Sequence, residues 1–408
     1  MPTFTVEPMV TFLHTADWQI GMTRRWLQPE AQARFDHDRL MAIRSAGQIA
    51  RAQGCAFVVV AGDVFESNQL RQGTVLRALD VMGEMRLPVY LLPGNHDPLD
   101  SVSIYRQPIF VNACPDNVTV LDSHGPYDVA PGVQVIAAPW RSKHPGRDLV
   151  ADALATVGPA DGTTRVLVGH GGVDVFDPTG RNATAIGTAP LFEAVKDGRI
   201  HYVALGDRHS RTDVGGRGSV WFSGTIEVTD SREEVPGDVL VVEIGPSGVA
   251  EVVPQHTGTW DIRSLSRDLN SADDVDSLLA ELAGTSCKEK VVLKLALSGA
   301  LSLADYTRLY ESLEAVGTTF AGLLHWDGHT DLVISQDDEQ WADMDISGYV
   351  NGAAQEIREA MTEGDPKVAV AHRDADLAAA FSPDVADDCN SARDALALLY
   401  RLSGALAR

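Results

Sequence analysis

The chain has little of what several large protein classes depend on. Its apolar runs, such as "FVVVAG" and "VYLLPG", are strand-sized, far short of the roughly 20 residues that span a bilayer, so no membrane association is expected. Cysteine is scarce: Cys55, Cys114, Cys287 and Cys389 lie far apart and form no CxxC pair. That argues against a disulfide framework or a zinc knuckle and leaves reduced cytoplasmic thiols as the default. The first residues lack a basic stretch followed by an apolar one, so no secretory signal is expected and the location read from the sequence is cytoplasmic. Basic residues are also few, with 33 Lys and Arg against 57 Asp and Glu and a formal net charge of −24. Such a chain does not coat nucleic acid by bulk electrostatics, which rest on phosphate neutralisation. A nucleic-acid substrate would need bound cations, a local basic patch such as Arg24, Arg25 and Arg34, or a partner subunit. No internal repeat and no long low-complexity segment is present.

What is present is a rhythm. At 408 residues the chain exceeds one ordinary core, so two or three domains are expected. From about residue 10 to 245, short β-branched runs alternate with helix-compatible segments. "VTFLHTAD" and "AFVVVAGD" read as buried strands, and the stretch between them has helical spacing at Phe35, Leu40, Ile43 and Ile49. "PVYLLPGNHD", "VQVIAAPW", "TRVLVGHGG" and "IHYVALGDRHS" repeat the pattern of an apolar strand emptying into a polar loop. This alternation predicts an α/β layered sandwich over residues 1–245, with sites gathered where strands end. Turn residues around 246–260 mark a new unit. Two helical stretches flanking "KVVLKLALSG" predict a small α+β domain over 246–335. Residues 336–408, rich in Ala and Asp, read as helical. Their apolar stripe at Ala395, Leu396, Leu398, Leu399, Leu402 and Leu406 suits either docking on the chain's own body or a partner protein.

Five strand-ending loops carry metal-competent groups: Asp17 with Gln19, Asp63, Asn95 with His96, His170, and Asp207 with His209. Each alone is ordinary as a helix cap or turn residue. Five at the same structural position are not independent caps. A carboxylate such as Asp63 can bridge two divalent ions, with imidazole and amide groups completing their shells. Such a pair activates water for in-line attack on phosphorus and neutralises the developing charge. His96, beside Asn95 and followed by Asp97 as an orienting carboxylate, suits protonation of the leaving oxygen. Trp18 and Trp26 beside Arg24 and Arg25 offer a surface for stacking bases or bracing a phosphate, or packing under a loop. Ser223 to Thr225 follow a strand and either line the site or form a turn, while His14 and His201 read as structural.

Asp17-x-Gln19, Gly62-Asp63, Gly94-Asn95-His96-Asp97, Gly169-His170-Gly171 and Gly206-Asp207-x-His209 resemble, in order and spacing, the motifs of the calcineurin-like metallophosphoesterases. Within that superfamily, "FLHTADWQIG", "GDVFES" and "YVALGDRHS" look most like the SbcD exonucleases, the bacterial counterpart of the Mre nuclease. The resemblance implies two mixed sheets flanked by helices, with a smaller α+β capping domain. It places Asp17, Asp63 and His209 around one ion and Asp63, Asn95 and His170 around the other, with manganese preferred and magnesium as an alternative. It implies His96 as the catalytic histidine, cleavage of DNA phosphodiesters in repair, an SbcC-like SMC-family ATPase as partner, and a possible homodimer. Two positions depart from the pattern. Gln19 stands where the family has His, and Asp207 stands where its last motif reads His. Both move the site toward hard, oxygen-preferring ions, with the Gln19 side expected to be the weaker. Two other readings follow from the same residues: a phosphodiesterase or phosphatase of small nucleotides, and a non-catalytic scaffold that keeps the fold.

Overall fold

The computed structural model describes residues 10–177, 179–180 and 182–335. Two compact units divide after Asp261.

Among the described residues the first unit contains twelve strands in two six-stranded sheets. The first sheet draws on β1 (Val10–Thr15), β2 (Val58–Val60), β3 (Val89–Leu91) and β4 (Val118–Val120). The second is built from β5 (Gly125–Ala130), β6 (Val133–Ala137), β7 (Thr164–His170), β8 (Tyr202–Gly206), β9 (Thr212–Asp213) and β10 (Val220–Phe222). The chain then returns to the first sheet with β11 (Asp238–Ile244) and β12 (Ala250–His256), giving the order β12-β11-β1-β2-β3-β4. The second sheet runs β5-β6-β7-β8-β10-β9. The first sheet is parallel from β1 to β4, with antiparallel β11 and β12 on one side, and the second is parallel over β6-β7-β8-β10 between antiparallel edges β5 and β9.

The alternation of side chains along each strand makes the layers. Phe57, Val59 and Ala61 face the second sheet and meet Val133, Val135, Val166, Val168 and Ala204 there. Val58 and Val60 point the opposite way and join Ile43, Ala46, Leu79 and Met82. Those last four come from α1 (Pro29–Ala52) and α2 (Gln72–Glu84), which cover the outer face with α3 (Pro108–Ala113). On the second sheet Ile136, Leu167, Val203 and Leu205 pack with residues of α4 (Leu149–Leu154) and α5 (Thr188–Lys196). The result is the layered α/β sandwich that the alternating pattern predicts, in the form of two mixed sheets flanked by helices that the resemblance implies. Helix α1 spans the segment read as helical, opens with Pro29 at its first turn, and buries Phe35, Ala42, Ile43 and Ala46.

The sequence boundary at residue 245 is corrected by this topology. Gly245 to Gly248 form a hairpin turn, and β12 beyond it pairs with β11 over its whole length, so the first unit extends to Asp261. The second unit begins with β13 (Asp261–Leu269) and continues with α6 (Ala272–Gly284), β14 (Val291–Leu301), α7 (Leu303–Gly317), β15 (Gly322–His325) and β16 (Asp331–Ile334). The long β14 pairs in parallel with β15 through its first half and with β16 through its second. Ser271 and Ser302 cap the two helices, each accepting the amide of the residue three places on. One apolar core, with Leu278, Leu282, Leu293, Leu295, Leu309 and Leu313 at its centre, joins helices to sheet. The region read as a helical partner-binding segment, 336–408, lies outside the described residues.

Candidate metal centre

All five strand-ending loops leave the carboxyl ends of parallel strands, β1, β2 and β3 in one sheet and β7 and β8 in the other. They therefore meet along one rim of the sandwich. Direct bonds tie them together: Asp17 N donates to Gly62 O (3.1 Å), Gln19 N to Asp63 O (2.9 Å) and Gly171 N to Gly206 O (3.0 Å). Two glycines allow this closeness. A Cβ at Gly94 would sit 2.2 Å from Asp63 Oδ1, and one at Gly206 would sit 2.1 Å from Ala61 O, so neither position tolerates a side chain.

The backbone at the rim is strained. Among the described residues six non-glycine residues have positive φ, and four of them are Asp17 (51°), Gln19 (41°), Asp63 (51°) and Asp207 (100°). Left-handed backbone costs a side-chain-bearing residue free energy and collects at functional sites. Here it turns four side chains toward one another.

Asp17, Asp63 and His170 are buried, and each offers a ligand atom within 4.8 Å of the others. His170 Nδ1 lies 2.9 Å from the carbonyl oxygen of Ala61, an acceptor, so that nitrogen carries a proton. Its Nε2 then faces Asn95 Oδ1 at 2.7 Å and Asp63 Oδ1 at 3.3 Å. Asp207 Oδ1 is 3.8 Å from the same nitrogen. Three oxygens gathered on one imidazole nitrogen need a proton or a cation among them. Burial works against protonation of His170, but the charge and hydrogen bond of Asp63, with Asp17 and Asp207, hold its pKa well above the ordinary histidine value. Asp17 has the opposite problem. Burial raises its pKa, with Asp63 and Asp207 adding to the effect against His209 and His170, to about 7.

On the other side of Asp17, whose two carboxylate oxygens each accept the Asp207 amide at 3.1 Å, lies a second cluster. Gln19 Nε2 is 3.0 Å from His209 Nε2. His209 Nδ1 is 2.7 Å from Glu233 Oε1 and 2.9 Å from Thr229 Oγ1. Gln19 Oε1 is buried and has no hydrogen-bond partner among the described residues.

These donors fit divalent cations. Buried carboxylates, one of them with a raised pKa, an imidazole nitrogen crowded by oxygens and an orphaned amide oxygen together make a set that a divalent cation would satisfy. The mixture of oxygen and nitrogen donors suits manganese or magnesium better than a sulfur-seeking metal.

His96 stands at the edge of the cluster with its side chain 37% exposed. Its amide donates to Asp63 Oδ1 (2.9 Å), and its Nδ1 faces Glu66 O at 3.0 Å. The reading of Asp97 as the group that orients this ring is corrected. Asp97 is fully buried and accepts from Gly94 N (2.7 Å), Phe65 N (3.0 Å) and Tyr105 Oη (2.6 Å). It braces the loops after β2 and β3, and the carbonyl of Glu66 orients the imidazole.

Trp18 is wholly buried with Nε1 donating to Thr15 Oγ1 (2.9 Å), so of the two open readings it packs under the loop. Thr225 is buried and donates to Asp17 O (2.8 Å), supporting the site from beneath. Arg24 and Trp26 line a cavity of about 570 Å³ with Asp207, Arg208, His209 and Glu233, whereas Arg25 is exposed outside that lining. Two residues of the neighbourhood carry no signal in the sequence. Glu66 sits in the loop after β2 and Glu233 in a loop after β10, and only the tertiary structure brings them to His96 and His209.

Residues 10–211 match the family of calcineurin-like phosphoesterases. Similar solved structures include TT1561 of Thermus thermophilus (10% identity, covering 61% of this chain and 100% of that one, TM-score 0.36). They also include a dimetal phosphatase from Danio rerio (13% identity, 61% and 99%, TM-score 0.36). GAP50, the anchor in the inner membrane complex of Plasmodium, is similar at 12% identity over 61% of this chain and 85% of that chain, with a TM-score of 0.39. No curated protein matches the sequence. Among the described residues no helix is long and apolar enough to cross a membrane.

Proposed function

Because residues 10–211 are a calcineurin-like phosphoesterase domain, a metal-dependent hydrolase of phosphoesters, we propose that this protein cleaves DNA phosphodiesters as an exonuclease, with manganese as its working ion. The observation that carries the metal chemistry is the buried convergence of Asp17, Asp63 and His170. The DNA assignment is supported by the resemblance of "FLHTADWQIG" and "YVALGDRHS" to the SbcD motifs and by the second unit, which small-molecule phosphoesterases do not need. A role in DNA repair and an SMC-family ATPase partner belong to the same reading.

In this reading Asp63 would be shared by two cations, with Asn95, His170 and Asp207 holding one and Asp17, His209 and Gln19 the other. Bound divalent cations supply Lewis-acid chemistry, drawing charge from phosphoryl oxygens and making water a better nucleophile. The chain supplies the rest. The Ala61 carbonyl fixes the tautomer of His170, so that its Nε2 points inward. His96 gives Nδ1–H to the Glu66 carbonyl, so Nε2 hands a proton to the leaving oxygen from the doubly protonated ring and returns to the neutral Nδ1–H form. The adjoining cavity is lined by Arg24, Arg208 and Arg232 together with Asp207, Asp230, Glu233 and Glu234, and Trp26 adds a flat ring on which a base next to the scissile bond would stack.

The net charge of −24 favours a second reading, hydrolysis of small nucleotides, which needs no basic channel. The test is manganese-dependent hydrolysis of linear DNA and of a bis-aryl phosphodiester by the wild-type protein. Cutting of both supports the nuclease. Cutting of the small diester alone transfers the assignment to nucleotides, and no cutting at saturating manganese leaves a scaffold.

A further inference from the structure

Gln19 Nε2 is an amide nitrogen and can only donate a hydrogen bond, so His209 Nε2, 3.0 Å away, accepts it. The ring proton of a neutral His209 therefore sits on Nδ1, and the nearer of the two oxygens facing it, and the charged one, is Glu233 Oε1 at 2.7 Å, with Thr229 Oγ1 at 2.9 Å. Glu233 is itself held. Its side chain is 8% exposed, its Oε2 accepts from Thr229 N (2.8 Å), and Thr229 Oγ1 donates to Oε1 in a very short bond. A carboxylate pinned at both oxygens thus has one further task, which is to receive Nδ1–H.

We propose that Glu233 is a positioning residue that locks His209 in its Nδ1–H tautomer and turns the Nε2 lone pair into the site as a cation ligand. Its role as a ligand-tuning group rests on the metallohydrolase reading above; the tautomer lock does not. The physical basis is general: a histidine that donates its distal N–H to a carboxylate is oriented, and its other nitrogen becomes more basic. The arrangement also explains how this chain keeps the Gln19 side functional. A neutral amide is a weak ligand, and a carboxylate-backed imidazole beside it compensates for that weakness.

The experiment compares wild type, Glu233→Gln and Thr229→Ala, all full length, with 15N-labelled histidine and no metal at pH 8.5. Long-range proton–nitrogen correlations assign each ring tautomer, with His209→Gln identifying the resonance. The expected result is a single Nδ1–H tautomer in wild type and in Thr229→Ala, and a mixture in Glu233→Gln at unchanged circular dichroism. Manganese titration calorimetry on the same proteins should then show one of two binding steps weakened in Glu233→Gln by about 10- to 100-fold, the other unmoved. An unchanged tautomer in Glu233→Gln overturns the inference, whether or not metal binds. Two undiminished binding steps in that variant overturn the ligand-tuning half. Absence of manganese binding by wild type defeats the metallohydrolase reading, and the tautomer result then stands as the test of the lock by itself.

Discussion

The carboxamide nitrogen of Gln19 lies 3.0 Å from Nε2 of His209, so each of these side chains occupies the other's working atom. A cation entering between them must turn the amide, bringing the orphaned Gln19 Oε1 into use. Replacing Gln19 by His supplies an imidazole, a stronger ligand for manganese than a neutral amide. Gln19→His is expected to tighten the weaker of the two manganese sites by roughly tenfold, about 1.4 kcal/mol, in titration calorimetry. An unchanged or weakened step would mean that the Gln19 side chain does not face the ion.

Metal uptake should release protons. Without a cation His170 is held protonated by Asp63, Asp17 and Asp207 against the effect of burial, and burial raises the Asp17 carboxyl to about 7. A cation binds only the deprotonated forms, so lowering the pH below 7 sets protons against metal. Apparent manganese affinity is expected to fall between pH 8 and 6 by about tenfold per pH unit for each proton displaced. Calorimetry in buffers of different ionisation enthalpy counts those protons; a pH-independent affinity with no buffer dependence contradicts the protonation of Asp17 and His170.

His96 should matter in proportion to the leaving group. With Nδ1–H engaged by the Glu66 carbonyl, Nε2 is the nitrogen that donates when the ring is doubly protonated. His96→Ala is expected to lower kcat on DNA, whose alkoxide leaving group needs a proton, by about 10²- to 10⁴-fold. An aryl leaving group needs no such help, so the bis-aryl diester should be affected far less. Equal losses on the two substrates would assign His96 to binding or folding.

The reassigned Asp97 yields a stability test. Its carboxylate carries Gly94 N, Phe65 N and Tyr105 Oη, all in a buried place. Asn at this position presents an N–H toward donors, leaving at least one amide unpaired at a cost of about 1–3 kcal/mol. Asp97→Asn should therefore lower the midpoint of denaturant unfolding more than Tyr105→Phe, which removes one neutral donor. If both variants unfold like wild type, the loops after β2 and β3 are held by something else.

His14 bears on acid stability. It is wholly buried between the Tyr202 hydroxyl (3.0 Å) and the Leu205 carbonyl (3.2 Å), and burial depresses its pKa to about 3 despite the carbonyl hydrogen bond. The unfolded chain titrates near 6.5, so the stability contributed by neutral His14 is complete above that value. It is lost as pH falls through the window from 6.5 toward 3, at about 1.4 kcal/mol per unit. Thermal unfolding of His14→Gln should therefore show a shallower decline between pH 7 and 5 than wild type. Parallel declines would remove His14 from the account.

Most of the rim was legible because its grammar is local. A run such as "AFVVVAGD" states both that a strand is buried and that the residue ending it is polar, which is enough to put Asp63, His170 and Asp207 at the carboxyl ends of their strands. Roles set by distant partners were not legible. Asp97 follows His96 in the chain, yet its side chain turns into the core toward Tyr105, and Glu233 reaches His209 across 24 positions that include β9 and β10. The boundary at 245 failed for a different reason. Gly245, Pro246 and Gly248 are turn residues, and Pro254 reads as a strand breaker, but β12 is an edge strand, where a proline is tolerated.

Gly206 belongs to one sheet and Ala61 to the other, and a single methyl group between them would have nowhere to go. The five loops have no arrangement as a site until the two sheets have closed on each other, because His170 takes its tautomer from Ala61 and Asp17 holds the amide of Asp207. Metal capture is thus a timer on folding. A newly made chain with both sheets formed but not yet docked would hold Asp17 and Asp63 apart from His170 and Asp207, so the ion would arrive as a late guest that reports completion rather than as a nucleus that starts it.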